Sequence, residues 1–244
     1  MYLFSAIRAN PDSYRDRVNS CHSFHPLKYL CETKTLELVG YRLEILEIKD
    51  SDSLFEQLLA LGPDHADVRD ERIPYWAEIW PSAVALATHL LKGPTLAGRH
   101  VMEIGCGLGL PGIAAGLKGA EVMFTDYLEE PLSFAKQNWK QNLDREATFQ
   151  LLDWRNPPPG LKAEIVLASD VAYEQKAFEP LLSFFQKAIA PGRKILLSQP
   201  GRKYATTLFD TIDAASFDRY TCDYPVTLKG ITTPVKVDSL TPPG

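Results

Sequence analysis

The stretch Val101-Met-Glu-Ile-Gly105-Cys-Gly107-Leu-Gly109-Leu-Pro-Gly112 decides the fold. A short apolar run enters a cluster of glycines and leaves it as a helix-forming run. Glycine lets a backbone turn sharply and approach a ligand where a Cβ would clash. The helix start behind it presents N–H groups that have no partner within the helix. About twenty positions further on, Asp126 ends the next apolar run, where a carboxylate is placed to accept ribose hydroxyls.

Downstream of this turn the rhythm is strand, helix, strand. Strands are expected over 99–104, 121–125, 148–152, 164–168 and 194–198, with helices over 111–118, 129–142, 175–189 and 202–214. Such alternation means βαβ units and a parallel sheet. The tail breaks the pattern. Residues 217–228 and 231–240 read as two strands joined by Lys229-Gly230, too close for a crossover helix, so they pair antiparallel. The fold class is therefore α/β: a doubly wound, mostly parallel seven-stranded Rossmann-like sheet with an antiparallel C-terminal hairpin.

Upstream, residues 34–48 alternate apolar and polar on either side of Gly40, a hairpin signature. Ser51 or Ser53 is expected to cap a helix over 54–61, stopped by Gly62-Pro63. Pro81 suits the first turn of a helix over 81–92. An isolated hairpin is marginal in water. Residues 1–72 are thus expected to be an extension serving as lid and recognition segment, with the main domain over 73–244.

Composition narrows the function. The 244 residues are 45% hydrophobic and 23% charged, the profile of an ordinary globular chain able to bury a sizeable core. With 26 Lys+Arg against 31 Asp+Glu, the net charge of −5 argues against a general nucleic-acid or anionic-membrane binder. No apolar run approaches the roughly 20 residues that span a bilayer, and the first residues, without a positive n-region or a small-residue cleavage site, are not expected to be a secretory signal. Cys21, Cys31, Cys106 and Cys222 are scattered, which fits a reducing cytoplasm. Cys21, His22, His25 and Cys31 match no common zinc spacing, so no metal is expected.

Gly107-x-Gly109-x-x-Gly112 is a literal dinucleotide fingerprint. Glu103 turns the reading elsewhere. A carboxylate at the mouth of the first strand repels a pyrophosphate but suits the ammonium of a methionine moiety. The terminal antiparallel hairpin is also how a seven-strand methyltransferase sheet ends, and no acid–base pair for hydride transfer stands out. S-adenosyl-L-methionine is the expected cofactor. Asp153 and Trp154, ending the third strand, are placed to meet its adenine, by accepting from the amine and by walling the ring.

Five segments occur in an order and spacing that resemble one family: Tyr75-Trp-Ala-Glu-Ile-Trp80-Pro-Ser-Ala, Glu103-Ile-Gly-Cys-Gly-Leu-Gly-Leu-Pro-Gly, Thr125-Asp126, Asp153-Trp154 and Leu167-Ala-Ser-Asp170-Val-Ala-Tyr173-Glu. Over about residues 73–240 the chain resembles the methyltransferase-16 group of seven-β-strand S-adenosylmethionine-dependent enzymes, many of which methylate protein lysines. The resemblance implies that Trp80 lies against the cofactor and that Gly105, Cys106 and Gly107, with Gly109, bring the backbone to its methionine part. It further implies that Asp126 and the adjoining Tyr127 meet the ribose side, Trp154 the adenine, and Ser169 the cofactor. Asp170 and Tyr173 would border the acceptor. Residues 1–72 have no counterpart in the family pattern.

Methyl transfer from a sulfonium is a direct displacement, so positioning the nucleophile supplies most of the rate. A lysine acceptor must lose a proton against a reference pKa of about 10.4, which burial and the nearby sulfonium lower. Asp170 would orient the amine, and Tyr173 would attract it through its ring face. Two alternatives stand beside protein lysine: a small-molecule N- or O-methyltransferase, and a catalytically silent cofactor-binding module. Methylation of planar amines is marked by an Asn/Asp-Pro-Pro-aromatic element after the fourth strand. Here Asn156-Pro157-Pro158-Pro159 follows the third strand and lacks the aromatic, so it reads as a rigid loop.

Overall fold

A computed structural model describes residues 29–69, 72–172, 175–201 and 205–242. The N-terminal hairpin is β1 (Cys31–Leu38) and β2 (Tyr41–Ile48), paired antiparallel around Val39-Gly40. Helix α1 (Ser51–Ala60) follows, and its cap differs from expectation. Asp50, not Ser51 or Ser53, accepts from the Ser53 N–H at 3.0 Å. A short α2 (Ala66–Arg69) and a 3-10 turn (Tyr75–Ala77) lead into α3 (Pro81–Lys92), with Pro81 in its first turn.

Then come β3 (His100–Ile104), α4 (Leu110–Leu117), β4 (Glu121–Asp126), α5 (Glu129–Asn142) and β5 (Thr148–Leu151). The second half runs β6 (Ala163–Ser169), a 3-10 turn (Gln175–Ala177), α6 (Phe178–Ala188), β7 (Ile189–Gln199), α7 (Ala205–Ala214), β8 (Asp218–Leu228) and β9 (Ile231–Thr241). Strand β7 starts earlier than its apolar core suggests, because Ile189 pairs with Ala163 before the register shifts.

The seven-stranded sheet has the order β5-β4-β3-β6-β7-β9-β8. The first five strands are mutually parallel, β9 runs antiparallel to β7, and β8 pairs antiparallel with β9 as the expected hairpin. The chain winds outward from β3 to β5, then returns to place β6 against β3. That reversal is the topological switch, and ligands of open α/β sheets bind beside it at the carboxyl ends of the strands.

Alternate residues face two cores. Val101, Phe124, Leu167 and Leu196 pack with α3, α4 and α5; Met102, Ile104, Val166 and Leu197 pack with α6 and α7. Leu43 and Ile45 of β2 are fully buried in the first of these cores, each stabilising by roughly 1.5–3 kcal/mol. Among the described residues no strand lies beside the outer edge of β2. Two side chains of α5 satisfy it instead: Asn138 accepts from the Leu46 N–H at 2.7 Å and donates to its carbonyl at 3.1 Å, while Asn142 does the same for Glu44 at 2.9 and 2.7 Å.

Candidate functional site

The loop between β3 and α4 turns on three glycines in the left-handed region: Gly105, Gly107 and Gly109, with φ of 55°, 51° and 80°. Gly112 needs no unusual φ. Its missing Cβ is what matters, since one would collide with the Phe124 ring and the Glu103 carboxylate. Through this opening the Gly112 N–H reaches Glu103 Oε2 at 2.9 Å. Glu103 therefore pins the start of α4 from beneath. Its other oxygen, Oε1, is buried and has no hydrogen-bond partner among the described residues.

Burial pushes the Glu103 carboxyl well above the usual carboxylate range, and the Asp126 charge adds to the rise; the Gly112 bond opposes it. Burial likewise lifts the Cys106 thiol, with both carboxylates adding to the shift. A thiol so held is not a nucleophile. Asp126 ends β4 facing the loop. Its Oδ2 accepts from the Gly107 N–H at 3.2 Å, and Oδ1 from the N–H groups of Tyr127 and Leu128 at 2.8 and 3.2 Å. These bonds favour its charge, but burial outweighs them and moves its pKa to about 6.

The end of β5 is tied to the same place, because Leu152 N–H donates to the Asp126 carbonyl at 2.8 Å. Asp153 is held by Arg155, whose Nε and Nη2 lie 2.7 and 2.9 Å from its two oxygens. Trp154 is half-buried against the α6 and α7 core. Across the switch, Ser169 ends β6 half-buried, and Asp170 takes a left-handed backbone with φ of 53°. Aspartate tolerates that region better than most side chains, yet it is uncommon outside glycine. The Asp170 N–H is anchored on the Ser198 carbonyl at 2.9 Å.

A chain with this arrangement has known counterparts. The pattern described as lysine methyltransferase matches residues 71–214, more than half of the chain. The chain belongs to the lysine methyltransferase family. Among its relatives, the Xenopus laevis histone-arginine methyltransferase METTL23 is 37% identical over 149 residues, covering 56% of this chain. The match spans 63% of that relative's own length. The Rattus norvegicus electron transfer flavoprotein beta subunit lysine methyltransferase is 27% identical over 202 residues, 78% of each chain.

Solved structures share the fold. Magnesium protoporphyrin IX methyltransferase from Synechocystis with bound S-adenosylmethionine superposes with a TM-score of 0.54 at 17% identity, covering 80% of this chain and 98% of its own. The N-methyltransferase NodS of Bradyrhizobium japonicum, with S-adenosylhomocysteine, gives 0.55 at 12% identity, covering 80% and 100%. The chain thus shares the fold of methyltransferases that bind S-adenosylmethionine or S-adenosylhomocysteine.

Its residues fit that cofactor. A buried oxygen with no partner among the described residues, Glu103 Oε1, stands at the strand mouth, and the neighbouring glycines keep the backbone free of Cβ atoms. Val171 closes on Gly105, where a Cβ would lie 3.0 Å from its Cγ1, so the segment carrying Asp170 borders the loop. Trp80 is half-buried at the start of α3, its Nε1 donating to the Tyr75 carbonyl at 2.5 Å and its ring edge-on to Tyr75. Tyr173 lies outside the described residues, as do Cys21, His22 and His25.

Two residues with structural roles around the site, Asn138 and Glu47, had no sequence reading, and Trp76 was read only as part of its family segment. The backbone of Trp76 lies against Gly107, 3.6 Å from where a Cβ would stand. Asn138, fully buried, donates to the Leu108 carbonyl of the loop at 3.0 Å while holding β2. Glu47 accepts from the Ile79 N–H at 3.3 Å and so ties the hairpin to the Trp80 segment. A polar residue on the apolar stripe of α5 was the available signal for Asn138. The Asn156-Pro157-Pro158 run lines a cavity of about 710 Å³ with Lys162 and Lys187, and no residue of the glycine loop lines it.

Proposed function

We propose that this enzyme transfers the methyl group of S-adenosyl-L-methionine to a lysine amine of a protein substrate. In this reading Glu103 faces the methionine ammonium, Gly105, Cys106, Gly107 and Gly109 give the backbone approach, and Asp126 with Tyr127 holds the ribose side. Asp153, oriented by Arg155, and Trp154 border the adenine, while Trp80 and Ser169 line the remaining wall. Asp170 orients the acceptor amine, with Tyr173 beside it. A new N–C bond forms as the C–S bond breaks. The amine must arrive neutral, a state favoured by burial and by the cofactor's positive charge.

The observation that carries this reading is the backbone of Asp170. It is a non-glycine residue in the left-handed region, held on Ser198, at the end of β6 beside the topological switch. Strain of this kind concentrates at functional sites. Relatives whose names specify lysine and arginine of proteins support a protein acceptor. Residues 1–72 are proposed as the lid and recognition segment, a reading supported by Glu47, which links the hairpin to the stretch leading to Trp80. A reducing cytoplasm is proposed from the scattered placement of the four cysteines in the sequence, which includes no Cys-x-x-Cys pair. Among the described residues no helix is long and apolar enough to cross a membrane.

The test is incubation with labelled methyl donor and a cell lysate, followed by protease treatment and acid hydrolysis. Protease-sensitive label recovered as methyl-lysine supports the proposal. Recovery as methylarginine shifts the acceptor to the guanidine named in the frog relative, and label only in small molecules removes the protein substrate.

A further inference from the structure

Two guanidinium groups meet at Tyr127. Arg155 Cζ lies 5.2 Å from the centre of its ring and Arg72 Cζ lies 5.7 Å from it. They arrive from different parts of the chain. Arg155 follows β5 and is fixed by Asp153, whereas Arg72 belongs to the segment before the Tyr75–Ala77 turn and has its Nη1 3.1 Å from Asp67. A cation within about 6 Å of an aromatic face is attracted by the ring quadrupole.

These contacts close a circuit around the mouth of the glycine loop. Asp126 receives the Tyr127 N–H on one oxygen and the Gly107 N–H on the other, at 2.8 and 3.2 Å. The Tyr127 ring holds Arg72. Residues 72–80 then bring the Trp76 backbone against Gly107, where a Cβ would be 3.6 Å away. The circuit ends where it began, at a loop that only glycine permits. Glu47 fixes the far end of the segment through the Ile79 N–H.

We propose that Arg72 is a positioning residue for S-adenosyl-L-methionine, acting through Tyr127, so that filling the adenosine end of the site and seating residues 72–80 over the loop are coupled. The inference rests on Asp126 and Tyr127 standing at the ribose, as proposed above. A ligand that fixes the Asp126 carboxylate also fixes the Tyr127 backbone bonded to it, and with it the ring that holds Arg72. Coupling of this kind is reciprocal: whatever the ligand does for the segment, the segment does for the ligand. The cofactor would then prepare the recognition segment before the acceptor arrives.

The experiment uses the full chain and S-adenosylhomocysteine, with calorimetric Kd and stopped-flow dissociation for wild type, Arg72→Ala, Arg72→Lys, Tyr127→Ala and the Arg72→Ala/Tyr127→Ala pair. Arg72→Ala should weaken binding about fivefold, mostly through faster dissociation, and Arg72→Lys should recover most of the loss, because an ammonium also sits over a ring. The double variant should bind no worse than Tyr127→Ala alone. Hydrogen exchange of residues 72–80 in the wild type should slow on adding ligand, and that slowing should vanish in Arg72→Ala. The wild-type exchange result stands even if a variant fails to fold. An Arg72→Ala Kd within twofold of wild type, additive losses in the double variant, or exchange of 72–80 indifferent to ligand would each overturn the proposal. Asp126→Ala separates the two readings. If it weakens binding while Arg72→Ala does not, only the coupling fails; if it does not, the placement of the ribose fails.

Discussion

The glycine loop and the N-terminal hairpin both lean on α5, but by different means. The loop is built from consecutive residues: β3 ends, three glycines turn, and α4 begins with its Gly112 N–H on Glu103. The hairpin depends on residues about ninety positions away, since Asn138 and Asn142 supply the hydrogen bonds that a neighbouring strand would give β2. One region is specified by local conformational need, the other by satisfaction of buried polar groups over long range. Asn138 belongs to both, bonding Leu46 of the hairpin and Leu108 of the loop. Removing it should therefore break the comparison most severely.

Asn138→Ala leaves three backbone groups, the Leu46 N–H and the carbonyls of Leu46 and Leu108, without their partner. At roughly 1–3 kcal/mol for each buried group, a loss of at least about 3 kcal/mol is expected in urea denaturation. A loss below about 1 kcal/mol would show the hairpin to be held by its apolar face alone. Gly112→Ala strikes only the loop, by forcing a Cβ into Phe124 and Glu103. Overpacking of this kind costs about 1–3 kcal/mol, read in the same melt, and should leave the pairing of β1 with β2 intact in hydrogen exchange.

Asp126→Ala removes the proposed ribose acceptor along with the partner of the Gly107, Tyr127 and Leu128 N–H groups, so the folded variant should bind S-adenosylhomocysteine at least about 1–3 kcal/mol more weakly by calorimetry. The same residue gives the binding a pH signature. Its pKa of about 6 in the ligand-free protein means it is ionised above that pH and protonated below. Ribose hydroxyls donate to the ionised form, so affinity is full well above pH 6, is about halved at it, and should be down about tenfold by pH 5. Asp126→Asn should flatten that profile. A flat wild-type profile would place the ribose elsewhere.

The smallest effect is expected where the C-terminal hairpin touches the Trp80 segment. Lys229 Nζ lies 2.7 Å from Glu78 Oε2 at an exposed turn. Surface pairs contribute about 0–1 kcal/mol, so Lys229→Ala should shift the denaturation midpoint little. A larger shift would show that this contact, and not only Glu47, holds the segment in place.

Much of the α/β frame was legible in the sequence because its signals are short-range. Alternating apolar runs, Pro81 at a helix start and Lys229-Gly230 between two strands each act within a few residues. The glycines were legible for the same reason. The cap of α1 was misread by a residue or more because Asp50 and the two serines are chemically equivalent cap candidates, and only backbone geometry chooses among them. Arg155 was missed as the partner of Asp153 because nothing in a two-residue spacing says which way a side chain turns.

The sequence by itself determined the strand–glycine–helix turn, the carboxylate at the end of β4, the antiparallel ending of the sheet and the family these make up. Each follows from conformational limits on neighbouring residues or from the order of motifs. Only the tertiary structure decided that β6 returns beside β3, bringing Asp170 to the glycine loop, and that Asn138 joins hairpin to loop. It also decided that Asp126 is buried deeply enough to titrate near 6, because burial and hydrogen bonding depend on which distant residues come to lie around a group.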